Sequence, residues 1–198
     1  MTDQLSNPFI SPLFHPEIPE GDDKLRRVCA HCRFIDYVNP KIVAGAVVTK
    51  NDRILLCRRA IEPRKGYWTL PAGFMEEGET VEDAARREAQ EEACADIRIG
   101  QLLAVYSVPR ISQVQVMFRA ELMSDIFAGP ESEEVGLFAW QEIPWSELAF
   151  PTVVWALTHY AGIRHLPAFP PFTNPPGTER LTHPAPVTAS RGDAYASS

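Results

Sequence analysis

Strand-like alternation of apolar and polar positions begins at Ile42. Ile42 to Thr49 is rich in β-formers, Asn51-Asp52 is turn chemistry, and Ile54 to Arg58 returns as a second strand, so this stretch predicts a hairpin. Pro63 and Gly66 mark a loop, Tyr67 to Leu70 a short strand, and Gly73 to Gly78 a second loop. Thr80 then stands at an N-cap position with Asp83 three residues on, and Glu79, Glu82 and Asp83 put negative charge at the positive end of the macrodipole. A helix over about Val81 to Ala93 follows. Ile97 to Ser107 and Gln113 to Leu122 read as strands, the second alternating Val114, Val116, Phe118 and Ala120 against Gln115, Met117 and Arg119. Val135 to Trp140 is another short strand, and Thr152 to Ile163 carries Val153, Val154, Leu157 and Tyr160 at helical spacing. The pattern predicts an α/β (α+β) fold, a sheet with helices around it.

The flanks lack this periodicity. Pro8, Pro12, Pro16 and Pro19 each fix φ and remove a backbone donor, so the chain to about residue 28 reads as an extended arm. After Leu166 a Pro, Thr, Ser and Ala mixture has little to bury and predicts disorder. The expected organisation is an arm over residues 1–39, a catalytic domain over 40–166 and a tail over 167–198. With 198 residues, 45% of them hydrophobic, the chain can bury one sizeable core. A net charge of −7 argues against a broad nucleic-acid or acidic-membrane footprint. The N-terminal residues lack a basic region and a continuous apolar run, and Ile42 to Val48 is too short to span a bilayer. Four cysteines, two of them in a CxxC, make no convincing secreted disulfide framework, so a soluble cytoplasmic protein with reduced thiols is expected.

The segment Gly73 to Ala95 carries the chemistry. Glu88, Glu91 and Glu92 fall on one face of the predicted helix. Two carboxylates about 5 Å apart oppose each other by roughly 3 kcal/mol at an effective dielectric near 20, a cost that a hard cation such as Mg²⁺ or Mn²⁺ removes. The alternative is an acidic, solvated helix face. Arg58, Arg59, Arg64 and Lys65 cluster just before this segment, where they either line its cleft and hold phosphates or form a solvated basic loop.

Gly73, Glu79, Arg87-Glu88, Glu91-Glu92 and the lead-in Gly66-Tyr67-Trp68-Thr69-Leu70-Pro71-Ala72 resemble the Nudix hydrolase signature. Every charged position matches. Cys94 stands where the family has glycine, and Ala89 and Ala95 are smaller than the aliphatic residues usual there. Cys29-Ala30-His31-Cys32, Tyr37 to Lys41, Gly129 to Ser132 and Phe138 to Phe150 are similar to a zinc-ribbon-associated branch that includes FAD and ADP-ribose pyrophosphatases. The resemblance implies a mixed sheet sandwiched between helices, and metal-dependent cleavage of a nucleoside diphosphate linked to another moiety, ADP-ribose or FAD, with release of AMP. It implies Glu88, Glu91, Glu92 and the Ala72 carbonyl as cation ligands, with Arg87 orienting the carboxylates through Glu79. Glu91, Arg87 and Glu134 are the catalytic candidates, Glu134 being chosen over Glu131 and Glu133 as the carboxylate from a distant loop. Arg58, Arg59 and Trp68 are the candidate substrate contacts, with Trp68 and Phe118 either stacking on a base or belonging to the core.

Cys29 and Cys32 have zinc-knuckle spacing, but a closed site needs four ligands. Either the knuckle is a metal-free remnant or His15, His31 or a partner chain completes it. The resemblance suggests a homodimer acting on a small nucleotide, without nucleic acid or membrane. A nucleotide-sensing module that does not cleave is the second function class; retention of every signature carboxylate favours the enzyme.

Overall fold

The computed structural model describes residues 13–178; the first residues of the expected arm and the expected tail from 179 onward lie outside them. The chain divides into two compact units at Asn39/Pro40. Among the described residues no helix is long and apolar enough to cross a membrane.

The first unit corrects the reading of an extended arm, because its described part folds into a three-stranded antiparallel sheet. Strands β1 (Phe14–Glu17), β2 (Arg26–Cys29) and β3 (Ile35–Asp36) pair in the order β1-β2-β3. Proline forbids a helix here, but an edge strand tolerates it, and Pro16 lies in edge strand β1. After β2 the chain turns at the CxxC: Arg33 N–H donates to the Cys29 carbonyl at 3.0 Å, with Arg33 at φ 65°. Backbone N–H groups of Cys32 and His31 favour the Cys29 thiolate and pull its pKa below the ordinary range. The Arg33 guanidinium clasps the Glu17 carboxylate, with Nη1 to Oε2 at 2.8 Å, and His15 Nε2 meets the same Oε2 at 2.8 Å. These partners, Arg33 first, hold Glu17 at a pKa of about 2. Glu17 thus ties β1 to the knuckle turn. No three Cys, His, Asp or Glu side chains converge on a metal position among the described residues. Among the described residues the knuckle is joined by no further set of ligands that would close a four-ligand zinc site.

The second unit holds a seven-stranded mixed sheet. Strands β4 (Lys41–Lys50) and β5 (Arg53–Arg59) leave a tight turn at Asn51 and Asp52, whose φ values of 51° and 58° match the twist of a hairpin. They pair only next to that turn, at Thr49 with Ile54 and Lys50 with Arg53. Farther out they part, and the Trp68–Phe74 stretch fills the gap: β6 (Trp68–Thr69) pairs with β5, and β7 (Ala72–Phe74) pairs with β4. On the other side of β4, β9 (Gln113–Leu122) runs parallel to it, followed by antiparallel β8 (Ile97–Val108). Strand β10 (Ser132–Phe138) closes the far edge on β5.

Helix α1 (Val81–Ala93) covers one face of the sheet and α2 (Pro151–Ile163) the other. Strict alternation sorts the strands: Ala44, Ala46 and Val48 meet Ala84, Ala85, Ala89 and Ala93 of α1, whereas Val47, Leu56 and Met117 join Val153, Ala156 and Leu157 of α2. Alanines on both sides let α1 approach the sheet closely. Phe118 is buried in this layer beneath α1 and belongs to the core rather than to a base-stacking surface.

The expected disorder beginning at residue 167 is corrected as well. Phe172 pairs with Ala104 of β8, its N–H donating to the Leu103 carbonyl at 2.8 Å and its carbonyl accepting from Val105 N–H at 3.0 Å. Its ring stacks on His159 at 4.2 Å between centroids. Phe169 and Phe172 both pack against the α2-side core. Two phenylalanines in a proline-rich stretch are enough to dock it. Cutting the chain after Leu166 is expected to cost about 3 kcal/mol, from half-burial of two aromatic rings and the lost strand bonds, and to lower Tm by roughly 5–10 °C. A thermal melt of the truncated protein measures this, and an unchanged Tm would mean that the segment contributes no net burial.

Thr80 caps α1, its hydroxyl oxygen accepting from Asp83 N–H at 3.1 Å. At the other end Cys94 adopts a left-handed conformation, φ 48° and ψ 33°. Cys94 N–H reaches the Gln90 carbonyl, the single bond of an αL cap, and Ala95 N–H reaches back to the Ala89 carbonyl. Glycine at this position removes a Cβ penalty of roughly 1 kcal/mol. Cys94→Gly is expected to raise stability by about that amount, as read from denaturant melts, with turnover unchanged.

Candidate active site

One guanidinium organises the carboxylates of α1. Arg87 Nε and Nη2 grip the Glu79 carboxylate at 2.6 and 3.1 Å, Nη1 donates to Glu88 at 2.7 Å and to Glu91 at 3.0 Å, and Nη2 also reaches the Phe74 carbonyl at 2.9 Å. Glu79 accepts in addition from Glu76 N–H at 3.0 Å. Arg87 pulls the Glu79 pKa below the ordinary carboxylate range, and Glu79, Glu88 and Glu91 keep Arg87 firmly protonated. The loop before α1 and two helical turns are thereby tied to one point.

Glu88 and Glu92 lie on the buried flank of the helix, at 7% and 5% exposure. Burial raises the pKa of Glu88 against the opposing pull of Arg87. Glu92 is pushed up to about 8, by burial first and by the neighbouring Glu88 second, while the Ala72 N–H and Arg59 favour its charge. Its Oε2 is buried with no hydrogen-bond partner. The glycine of the lead-in has a steric reason here, since a Cβ on Gly73 would lie 2.3 Å from a Glu88 carboxylate oxygen.

The carboxylates open into a cleft of about 950 Å³. Arg59, Arg64, Arg87, Glu88, Glu91 and Glu92 line it together with Ala72 and Gly73. Arg59 donates to the Pro63 carbonyl at 2.8 Å and lies over the Phe150 ring at 5.3 Å. Lys65 does not line the cleft; its ammonium stands 3.8 Å from Glu133.

Three expected site residues lie elsewhere. Glu134 faces Arg58 at 3.6 Å, both half exposed, and neither lines the cleft. The cause is a register shift between Ser132 and Glu134, which sets Glu134 opposite Arg58 on β5. The carboxylate that reaches the cleft from this loop is Glu131. Its position follows from the end of α1: Phe127 and Gly129 N–H groups donate to the Ala93 and Glu92 carbonyls, and a Cβ at Gly129 would lie 1.7 Å from the Glu91 carbonyl oxygen. Arg58 Nε is also committed to the Gly66 carbonyl at 2.9 Å. Trp68 is a core residue, 6% exposed and edge-on to Phe138 at 4.9 Å. Sequence reasoning missed the opposite wall, which Gln113, Gln115, Arg110, Phe150, Trp155 and Thr178 supply. The polar alternation of Gln113 and Gln115 on an otherwise apolar strand was the signal for part of it.

The donor set suits a hard divalent cation: carboxylate oxygens on one helix face, one of them buried without a partner. In this arrangement Arg87 occupies Glu88 and Glu91, and no three acidic side chains converge on one point among the described residues.

Residues 39–159 match the NUDIX domain family, and residues 12–38 match the Nudix N-terminal zinc-ribbon family. The chain is 34% identical over 119 residues to an ADP-ribose pyrophosphatase of Methanocaldococcus jannaschii, a match covering 58% of this chain and 69% of that protein. It is 30% identical over 143 residues to the NAD-capped RNA hydrolase NudC of Edwardsiella ictaluri, covering 70% of this chain and 54% of NudC, so it spans about half that relative's length. The crystal structure of a NUDIX hydrolase from Nitrosomonas europaea superposes with a TM-score of 0.78 at 46% identity, over 85% of this chain and 97% of the other. The match over residues 39–159 runs through the sheet, both helices and the carboxylates, and the chain therefore belongs to the Nudix family of hydrolases.

Proposed function

We propose that the protein is a divalent-metal-dependent pyrophosphohydrolase that splits a nucleoside diphosphate linked to another moiety, ADP-ribose foremost and FAD second, releasing AMP. The observation that carries this reading is the partnerless buried oxygen of Glu92 at the base of a cleft large enough for a dinucleotide. The ADP-ribose pyrophosphatase relative supports the substrate class. NudC acts on NAD-capped RNA, whereas the net charge of −7 weighs against an extended RNA footprint for this chain. A cytoplasmic homodimer is the setting taken from the resemblance, with the catalytic unit extended to residues 40–178.

Glu88, Glu91, Glu92 and the Ala72 carbonyl would hold Mg²⁺ or Mn²⁺. When bound, the cation neutralises phosphate oxygens and lowers the pKa of coordinated water. The protein's own residues do the rest. Arg59 and Arg64 hold the non-reacting phosphate oxygens from the wall facing α1. Arg87 keeps Glu88 and Glu91 in register through its grip on Glu79. Glu131, whose carboxylate has no hydrogen bond or ion pair among the described residues, accepts the proton of the attacking water, in place of Glu134 as the distant-loop carboxylate of the site.

Incubating the protein with Mg²⁺ or Mn²⁺ and a panel of ADP-ribose, FAD, NADH, diadenosine polyphosphates and nucleoside triphosphates, and identifying the products, tests the reading directly. Glu92→Gln and Glu131→Gln are each expected to lower turnover by about a hundredfold or more in a folded protein, with Glu134→Gln within about twofold of the parent. Release of pyrophosphate from triphosphates with no action on dinucleotides would move the protein to another substrate class.

Glu92 also sets a pH dependence. Its carboxyl keeps a proton up to about 8 in the folded protein against an ordinary 4.5, so the folded state binds the extra proton between these values. Stability of the metal-free protein is then complete below 4.5 and falls as pH rises toward 8, by at most about 1.4 kcal/mol per pH unit for one proton. Denaturant melts across this window are expected to show the slope in the parent, its loss in Glu92→Gln, and its flattening by saturating Mg²⁺.

A further inference from the structure

The wall of the cleft opposite the carboxylates is built by the hairpin end of β8 and β9 and by the segment that follows α2. Strand register places one row of residues across the sheet in the order Phe74, Val43, Gln115 and Tyr106, on β7, β4, β9 and β8. Three strand spacings separate the ends of this row, about 14 Å. Gly73, against which Glu88 packs, lies at one end, and the Pro109–Ile111 turn joins β8 to β9 at the other. A diphosphate held at the carboxylates therefore leaves this turn to meet a terminal group of the substrate.

The chemistry of that wall is specific. Arg110 lines the cleft on the turn, exposed, with no hydrogen bond or ion pair among the described residues. Gln113 and Gln115 add two carboxamides beside it, 3.4 Å apart. The aromatic lining comes from a different element, Phe150 and Trp155 at the start of α2. The cleft thus offers flat apolar rings from α2 and, from β9 and the turn, donors for oxygen, with the Trp155 ring edge-on at 5.5 Å to Tyr106, the cross-strand neighbour of Gln115. The turn is held from outside the sheet. Asn174 Oδ1 accepts from Ser107 N–H at 2.8 Å and its Nδ2 donates to the Ser107 carbonyl at 2.8 Å, so one side chain makes both bonds of a paired strand two residues before the turn. The same segment returns to the cleft, where Thr178 joins the lining.

We propose that Arg110, with Gln113 and Gln115, reads the hydroxyl-bearing terminal sugar of a nucleoside diphosphate sugar, and that Asn174 is a positioning residue that fixes the turn carrying Arg110. The inference rests on the hydrolase reading of the same cleft. It makes the sugar half, rather than a second flat ring, the group that selects the substrate. It also makes the segment after Leu166 part of the site.

Equilibrium binding in a Glu92→Gln background with Mg²⁺ tests this without turnover, using ADP-ribose, AMP and ribose 5-phosphate as probes. Arg110→Ala is expected to weaken ADP-ribose about tenfold or more and to leave AMP within about twofold. Asn174→Ala is expected to weaken ADP-ribose in the same direction but less. The double variant should bind no more weakly than Arg110→Ala alone, because Asn174 acts through Arg110. Unchanged AMP binding certifies that each variant is folded. Equal weakening of AMP and ADP-ribose would place Arg110 at the base and overturn the assignment. Additive losses in the double variant would reduce Asn174 to a structural contact and overturn its positioning role. Hydrolysis of other dinucleotides by the unmodified chain without ADP-ribose binding would overturn the sugar assignment and leave the hydrolase reading standing; no hydrolysis of any nucleoside diphosphate derivative would remove that reading itself.

Discussion

Two carboxylates buried a helical turn apart must be offset by something, and in this protein the offset is divided between one guanidinium and one unfilled position. Arg87 meets Glu79, Glu88 and Glu91 at once, which neutralises the loop side of the cluster and fixes where α1 stands relative to the chain that precedes it. Glu92 lies beyond that guanidinium's reach, and its environment holds a proton instead. Desolvation of a carboxylate is costly unless the charge is matched, so the remaining mismatch is a statement about what the site is built to receive. A cation bound as proposed would remove the mismatch, with release of the Glu92 proton.

That cluster can lie so near the sheet only because the surrounding chain gives way. A hairpin whose strands pair throughout would leave no room for the lead-in, yet β4 and β5 pair only beside their turn and then part around β6 and β7. Gly45 permits the close approach of β7, since a Cβ there would lie 2.3 Å from that of Ala72. Gly73 leaves space for Glu88, and the alanine face of α1 lowers the helix onto β4. Small residues on three elements thus bring polar groups of the helix and backbone groups of the strand to one point.

Much of this was legible because the signals are local. The caps, the turn at Asn51-Asp52 and the helical spacing of the carboxylates depend on neighbours within four residues, and the observed bounds of α1 are those the sequence predicts, Val81–Ala93. What the sequence hid is long-range. Glu131 and Glu134 sit in the same acidic run, and which of them faces the cleft depends on an extra residue in β10 and on Gly129 docking to the end of α1. Trp68 and Arg58 are next to the cleft in sequence but are drawn off by Phe138, Gly66 and Glu134. The segment after Leu166 looked featureless because its strand bonds use backbone and its anchors are two aromatic residues with no period. Among the described residues of the first unit there is no helix around Pro16 and Pro19, as the prolines imply, but an edge strand satisfies the same restriction.

The left-handed exit of α1 shows how such long-range terms are carried by a local compromise. Cys94 and Ala95 N–H groups reach the Gln90 and Ala89 carbonyls, while the 127–129 loop supplies donors to Glu92 and Ala93, so the helix end is satisfied from both its own chain and a distant one. Continuing α1 past Ala93 would spare Cys94 its unfavourable φ. It would also take the Glu92 and Ala93 carbonyls into the helix ladder and so displace the 127–129 loop that docks on them and brings Glu131 into the cleft. The cost of one Cβ in the left-handed region is about 1 kcal/mol, and the backbone keeps the glycine-type turn with a cysteine in it. Position 94 can therefore vary in side chain while its conformation is dictated by the carboxylates it helps to place.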